Sequence, residues 1–206
     1  PAPALPPPPL PLPPPVTLAE LLVLRGLDDL APFDPAKRVI EYIIAEEGGS
    51  PLIHMTLTQF ADTTASEAPA PGGGSISAYA GALGAALATM VANLSAHKRG
   101  WDDRWEEFSV HAEKGLALQN ELMALVDADT QAFDAIMAAY GMPKGTEDQK
   151  AKRHQAIQDA TRNAIDIPMQ VAQVAHDGLS LAAAMASDGN PNSVTDAGVG
   201  AMCLRT

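Results

Sequence analysis

Cysteine is almost absent from this chain of 206 residues: Cys203 stands alone, so no disulfide can close within it. A lone thiol fits a reducing compartment, and a cytoplasmic location is the expectation. Positive charge is also scarce. Lys and Arg number 13 against 25 Asp and Glu, a net charge of −12, which argues against a nucleic-acid partner whose phosphates need a basic surface. The five histidines, His54, His97, His111, His154 and His176, include no i,i+4 pair and no cysteine neighbour, so no metal site is expected. A G-x-S-x-G elbow is lacking, which removes one common serine nucleophile. No basic segment followed by an apolar run opens the sequence, and a secretory signal is not expected. Aromatic residues make up only 4%.

What is abundant is alanine. It loses no side-chain entropy in a helix, so an alanine-rich chain with few β-branched runs predicts an all-α fold, long enough for one good core. Residues 1–15, "PAPALPPPPLPLPPP", predict an extended polyproline arm, either a linker or a ligand for a proline-binding module. Residues 16–50 read as two short helical pieces broken at "APFDP", where Pro32 and Pro35 forbid continuation, and then a loop at Gly48 and Gly49. Residues 51–206 carry a short helix near 56–63, three long helical patterns and the start of another helix, predicting a bundle of long antiparallel helices.

The first long pattern lies within "APAPGGGSISAYAGALGAALATMVANLS", residues 68–95, which bear no formal charge. Ile76, Tyr79, Leu83, Leu87, Met90, Val91 and Leu94 form a stripe of large side chains, and alanine and glycine fill the other faces. A helix apolar all round must be buried on several sides. About 20 residues is also bilayer length, but Ser75, Ser77, Thr89, Asn93 and Ser95 lower the hydrophobicity and there is no second candidate. A soluble core helix is expected, its small residues permitting close approach within a bundle or across a dimer axis. Ser75 is the expected N-cap. The second pattern runs from about 102 to 140, slackening near Gly115, with Trp105, Phe108, Ala112, Leu116, Leu122, Val126, Asp129, Phe133, Met137 and Tyr140 on its stripe. "GMPKGTEDQK" ends it, and Thr146 with Gln149 forms a capping box for the third pattern, in which Pro168 predicts a kink or break.

Asp129 is the anomaly, a carboxylate where periodicity asks for an apolar residue. Burying it costs several kcal/mol unless it gains a partner or a raised pKa, and both suit proton transfer. A structural ion pair is the alternative. Asp127 points about 160° away around the helix, toward solvent. The glycines Gly72, Gly73 and Gly74, followed by Ser75, open a helix and could offer N–H groups to an anion, or simply form a flexible turn. They lack the lysine of a Walker loop and the spacing of a dinucleotide fingerprint. Lys144, Lys150, Lys152, Arg153 and His154 gather positive charge at one helix start, and Lys98 with Arg99 forms a second pair. Both groups suit substrate carboxylates or are solvated faces.

"APGGGS" opening an Ala/Gly helix, then "LVDADTQAF", then "MPKGTEDQKAKRHQAIQDA", resembles the cyclodeaminase domain of formimidoyltransferase-cyclodeaminase, a family that includes stand-alone methenyltetrahydrofolate cyclohydrolases. "LRGLDDLAPFDPAKRVIEYII" looks like the junction closing the formimidoyltransferase half of the fused enzyme. The likeness covers roughly residues 21–206. It implies an all-helical domain that forms a homodimer or higher homo-oligomer and binds folate, often polyglutamylated. It needs no cofactor beyond the tetrahydrofolate substrate and no membrane. The implied reaction converts 5-formimidoyltetrahydrofolate to 5,10-methenyltetrahydrofolate and ammonia, a step of histidine degradation. The alternatives are the cyclohydrolase reaction or a non-catalytic folate-holding module. The resemblance carries the catalytic aspartate to "VDADTQAF"; Asp127 and Asp129 both belong to it and the stripe selects Asp129. Gly72, Gly73, Gly74 and Ser75 are the expected active-site turn, and Lys144, Lys150 and Arg153 the expected contacts to the folate tail. The family pattern continues beyond "GNPNSVTDAGVGAMCLRT", so the helical domain is expected to be incomplete at its C-terminal side.

Overall fold

Alanine and glycine, rather than the large side chains, set how the helices approach one another. The computed structural model describes residues 52–206; the proline arm and the two predicted helical pieces before residue 51 lie outside the described residues. A single 3₁₀ turn, Leu52–His54, precedes helices α1 (Leu57–Thr64), α2 (Gly73–Ala96), α3 (Trp105–Gly141) and α4 (Glu147–Asp188). A second 3₁₀ turn, Pro191–Ser193, leads into α5 (Val194–Leu204), and there is no strand among the described residues. The predicted all-α bundle is what the described residues form.

Helix α2 is the central element, packed against α3, α4 and α5. Its buried face is Ala78, Gly81, Ala82, Gly84, Ala85, Ala88 and Ala92, together with Ser75, Val91 and Ser95. The expected stripe of large residues is therefore corrected: Leu83, Met90 and Leu94 are 45, 38 and 45% exposed. The reason is steric. At Gly84 a Cβ would lie 2.6 Å from the Gly200 carbonyl oxygen, and at Gly81 it would touch Leu122, so the backbones are too close for anything larger. Helix α2 is long and apolar enough for a bilayer, yet more than half of its most apolar stretch is buried inside this bundle.

Neighbouring contacts give the topology. Gly74 meets Asp129, Gly81 meets Leu122 and Gly115 meets Thr89, so α2 and α3 run antiparallel. Gly115 likewise faces Leu181 while Arg153 reaches Tyr140, so α3 and α4 are antiparallel as well. The predicted slackening at Gly115 does not occur, because Thr89 and Leu181 occupy the space a side chain would need. Helix α4 passes through Pro168 unbroken. Its capping box is the predicted one, Thr146 Oγ1 accepting from Gln149 N–H at 3.2 Å. A second box, Thr56 with Gln59, opens α1.

Gly84→Ala tests the close packing. Its Cβ would press on the Gly200 carbonyl and on Leu204 Cγ at 2.7 Å. Overpacking of this kind costs about 1–3 kcal/mol, and a thermal melt should show Tm several degrees lower. An unchanged Tm would mean that α2 and α5 do not meet as described.

Helix α3 outruns α2. Because α2 begins beside Asp129, the last three turns of α3 have only α4 and the chain before α2 to pack on. Phe133, Met137 and Tyr140, expected on the buried stripe, are consequently 43, 56 and 55% exposed, while Ala132 and Ala139 are buried in their place. Trp105 and Leu116 are also exposed, whereas Phe108, Leu122 and Val126 hold the core as predicted.

Candidate functional site

The first turn of α2 is built around a carboxylate from α3. Helix α2 starts at Gly73 with Gly72 as N-cap, not Ser75, and Gly72 supplies no side-chain cap. The unpaired N–H groups of that turn need another acceptor. Asp129 provides it: its Oδ2 accepts from Ser75 N–H at 2.9 Å and from Ser75 Oγ–H at 2.9 Å. A negative group at a helix N-terminus is favoured by the helix dipole as well. Ser75 is fully buried, and its hydroxyl also lies 3.4 Å from Thr130 Oγ1. A Cβ on Gly74 would overlap the Asp129 carboxylate, so only glycine lets the two helices meet here. Pro71, joined to Ala70 by a cis peptide bond, leads into this turn.

Two cavities border Asp129. The larger, about 550 Å³, lies toward α4 and the end of α5, with Gly73, Gly74, Ser77, Val171, His176 and Leu179 in its wall and Arg205 at its rim. That volume is in the range of small-molecule sites. The smaller, about 250 Å³, occupies the space that α2 leaves free on α3 and is walled by Pro69, Ala70, Gly72, Thr130, Phe133, Ile136 and Ala164. His176 was not singled out by sequence reasoning. The legible signal was its place eight residues after Pro168, on the same face of α4 as Val171, Ala172 and Ala175.

The remaining candidates fall elsewhere. Asp127 is half-buried rather than turned to solvent, and its Oδ1 accepts from Leu52 N–H at 2.6 Å, fastening the segment before α1 to α3. It borders neither cavity. Ser75 reaches neither cavity wall, because Asp129 takes both of its donors. Lys144, Lys150 and Arg153 sit at the α3–α4 turn, about 16 Å along α3 from Asp129 at 1.5 Å per residue. Lys150 pairs with Glu147 at 2.7 Å. Arg153 donates to the Tyr140 carbonyl at 3.2 Å and lies over its ring. Lys98 sits 3.8 Å over the Trp101 ring, which occupies it away from Asp129. No group of His, Cys, Asp or Glu side chains among the described residues is arranged to hold a metal ion.

A helical bundle that holds one carboxylate between two cavities has an arrangement that can carry acid–base chemistry on a small organic substrate. A family model described as formiminotransferase-cyclodeaminase matches residues 56–206. The chain is 41% identical to the methenyltetrahydrofolate cyclohydrolase of Methylorubrum extorquens over 144 residues, 70% of this chain and 69% of that protein. It is 35% identical to the formimidoyltransferase-cyclodeaminase of Rattus norvegicus over 182 residues, 88% of this chain but only 34% of that protein. The crystal structure of formiminotetrahydrofolate cyclodeaminase from Thermotoga maritima is similar in fold, with TM-score 0.64 and 31% identity, covering 74% of this chain and 72% of that one. The chain belongs to the formiminotransferase-cyclodeaminase family, a family of folate-metabolising cyclodeaminases and cyclohydrolases.

Proposed function

We propose that the chain is a formimidoyltetrahydrofolate cyclodeaminase, closing 5-formimidoyltetrahydrofolate to 5,10-methenyltetrahydrofolate with release of ammonia, and that Asp129 carries the protons. The formimidoyl group enters protonated, as N5–CH=NH2+; N10 attacks its carbon and loses a proton, and the former amidinium nitrogen takes one proton, breaks its bond to that carbon and leaves as ammonia, the positive charge staying on the methenyl bridge. One carboxylate held still beside both nitrogens can take the first proton and deliver the second. Ring closure is intramolecular, so holding the two ring systems in register contributes much of the remainder. Ser75 and Gly74 fix the carboxylate; nothing in this scheme calls for a cofactor beyond the folate.

The observation that carries the choice of reaction is the reach of the likeness to the fused enzyme. An alignment over 182 residues cannot fit within 56–206, so it takes in residues upstream of Thr56, where the junction-like segment lies. The 41% identity to a cyclohydrolase supports the second reading, with water as nucleophile in the same site. Offered both folates, the chain is expected to deaminate the formimidoyl compound with higher kcat/KM than it hydrolyses the methenyl compound. The opposite order would establish the cyclohydrolase.

We propose further that the exposed stripe of α2, Leu83, Met90 and Leu94, is covered by a second copy of the chain, since adjacent apolar side chains of this size are characteristic of interaction surfaces. The proposal extends to the basic α3–α4 turn, about 16 Å along α3 from Asp129, as the contact for a polyglutamate tail. Reversing the charge of Lys144 and Arg153 should raise KM for the polyglutamylated substrate several-fold and leave the monoglutamate almost unaffected, with the difference fading in added salt. Equal effects on both substrates would return these residues to solvated-face status.

A further inference from the structure

Ser75 is fully buried in the first turn of α2, and its hydroxyl has one hydrogen to give. That hydrogen goes to Asp129 Oδ2 at 2.9 Å, because an ionised carboxylate can only accept. Thr130 Oγ1 lies 3.4 Å from the same Ser75 oxygen. With the Ser75 hydrogen already engaged, Thr130 is the donor of this second contact, and the hydroxyls run in one direction, from Thr130 to Ser75 to Asp129. Other hydroxyls within these helices take the carbonyl four residues back. Thr89 donates to Ala85 at 2.8 Å, Ser95 to Val91 at 2.6 Å and Thr161 to Ile157 at 2.7 Å. Thr130 is well inside α3, yet its hydroxyl's partner among the described residues is a side chain of α2.

We propose that Thr130 is a positioning residue: acting through Ser75, it keeps Asp129 Oδ2 as the hydrogen-bonded oxygen and leaves Oδ1 as the one that carries the proton. The inference rests on the acid–base reading of Asp129 above and applies to either folate reaction. Oδ2 accepts from Ser75 N–H as well as from Ser75 Oγ–H, so a proton placed on it would face two donors. Oδ1 takes no such bond among the described residues, and it is the atom that a Cβ on Gly74 would strike first. Gly74 belongs to the wall of the larger cavity and not to that of the smaller, so Oδ1 is the oxygen beside the larger cavity's wall. A donor into Ser75 matters because a serine hydroxyl is a rotor. Engaged on its acceptor side by Thr130, it holds its own hydrogen on Oδ2, and the polarised O–H is the stronger donor. Without Thr130 the hydroxyl is free to turn, Oδ2 loses a fixed donor, and the proton is no longer confined to one oxygen. At 3.4 Å the Thr130 contact is long for an O–H···O bond; catalytic hydrogen bonds are commonly long before substrate binds and tighten in the complex.

The test compares Thr130→Val, which keeps the shape and removes the hydroxyl, with Thr130→Ser, which keeps the hydroxyl and removes the methyl group. Both are made in the full chain, thermal melts establish that each folds, and the substrate is whichever of the two folates the wild type turns over faster. In Thr130→Val, kcat should fall about five- to tenfold while KM stays within about twofold, in line with the loss of one hydrogen bond outside the substrate contacts. Thr130→Ser should recover kcat to within about twofold of wild type. A residue that only filled space would give the reverse order, with valine like wild type and serine impaired. That order, or two variants with the same kcat, would overturn the proposal. Ser75→Ala supplies a second check, and the first pair decides alone if this buried change prevents folding. With the intermediary gone, adding Thr130→Val should change kcat by less than about twofold. A further five- to tenfold loss in the double variant would show that Thr130 does not act through Ser75, and would overturn the proposal too. A wild-type chain that turns over neither folate would instead remove the acid–base reading of Asp129, and the assignment with it.

Discussion

Asp129→Asn is expected to fold like the wild type and to lose turnover by about 10²–10⁴-fold, the range that general acid–base groups supply. The fold should survive because the amide oxygen can still accept from Ser75 N–H and Oγ–H, both 2.9 Å from the carboxylate oxygen now. What disappears is the group that can hold a proton and release it. A kcat within a few-fold of wild type would show that another group moves the protons. Asp127→Asn provides the contrast. Its carboxylate bonds Leu52 N–H and borders neither cavity, so the change should leave kcat near wild type. Measuring kcat and Tm on both variants separates the roles, and a reversed ranking would transfer the catalytic part to Asp127.

Gly74→Ala should be nearly as damaging, by a different route. The new Cβ would overlap the Asp129 carboxylate, so either α2 shifts or the carboxylate rotates away from Ser75. Overpacking typically costs about 1–3 kcal/mol of stability. A carboxylate moved by about 1 Å can lose roughly 10² in rate. The expected result is a folded protein with lower Tm, kcat reduced about 10²-fold and folate binding mostly retained. Full activity would mean that the reaction tolerates a displaced carboxylate, against the role assigned to this helix start.

The helices were legible from the sequence because their signals are local. Thr146 with Gln149 marks a start, Gly141 with Pro143 marks a stop, and alanine content favours the state throughout. Asp129 stood out by breaking a periodicity. What the sequence could not show was which face of α2 turns inward. Leu83, Met90 and Leu94 form the more conspicuous stripe, but the Gly84–Gly200 approach leaves room only for small residues there, and that depends on a partner 116 positions away. The first turn of α2 meets the chain's own Asp129, a pairing across 54 residues that spacing does not encode. The smaller cavity was hidden for a similar reason: it exists because two helices of unequal length begin and end at different heights.

The most direct measurement follows ammonia and methenyl absorbance together when the purified chain meets 5-formimidoyltetrahydrofolate. The account predicts that both products appear at one rate and in equal amounts with the wild type, and that both vanish together in Asp129→Asn. Folate binding by the wild type with neither product formed would contradict it.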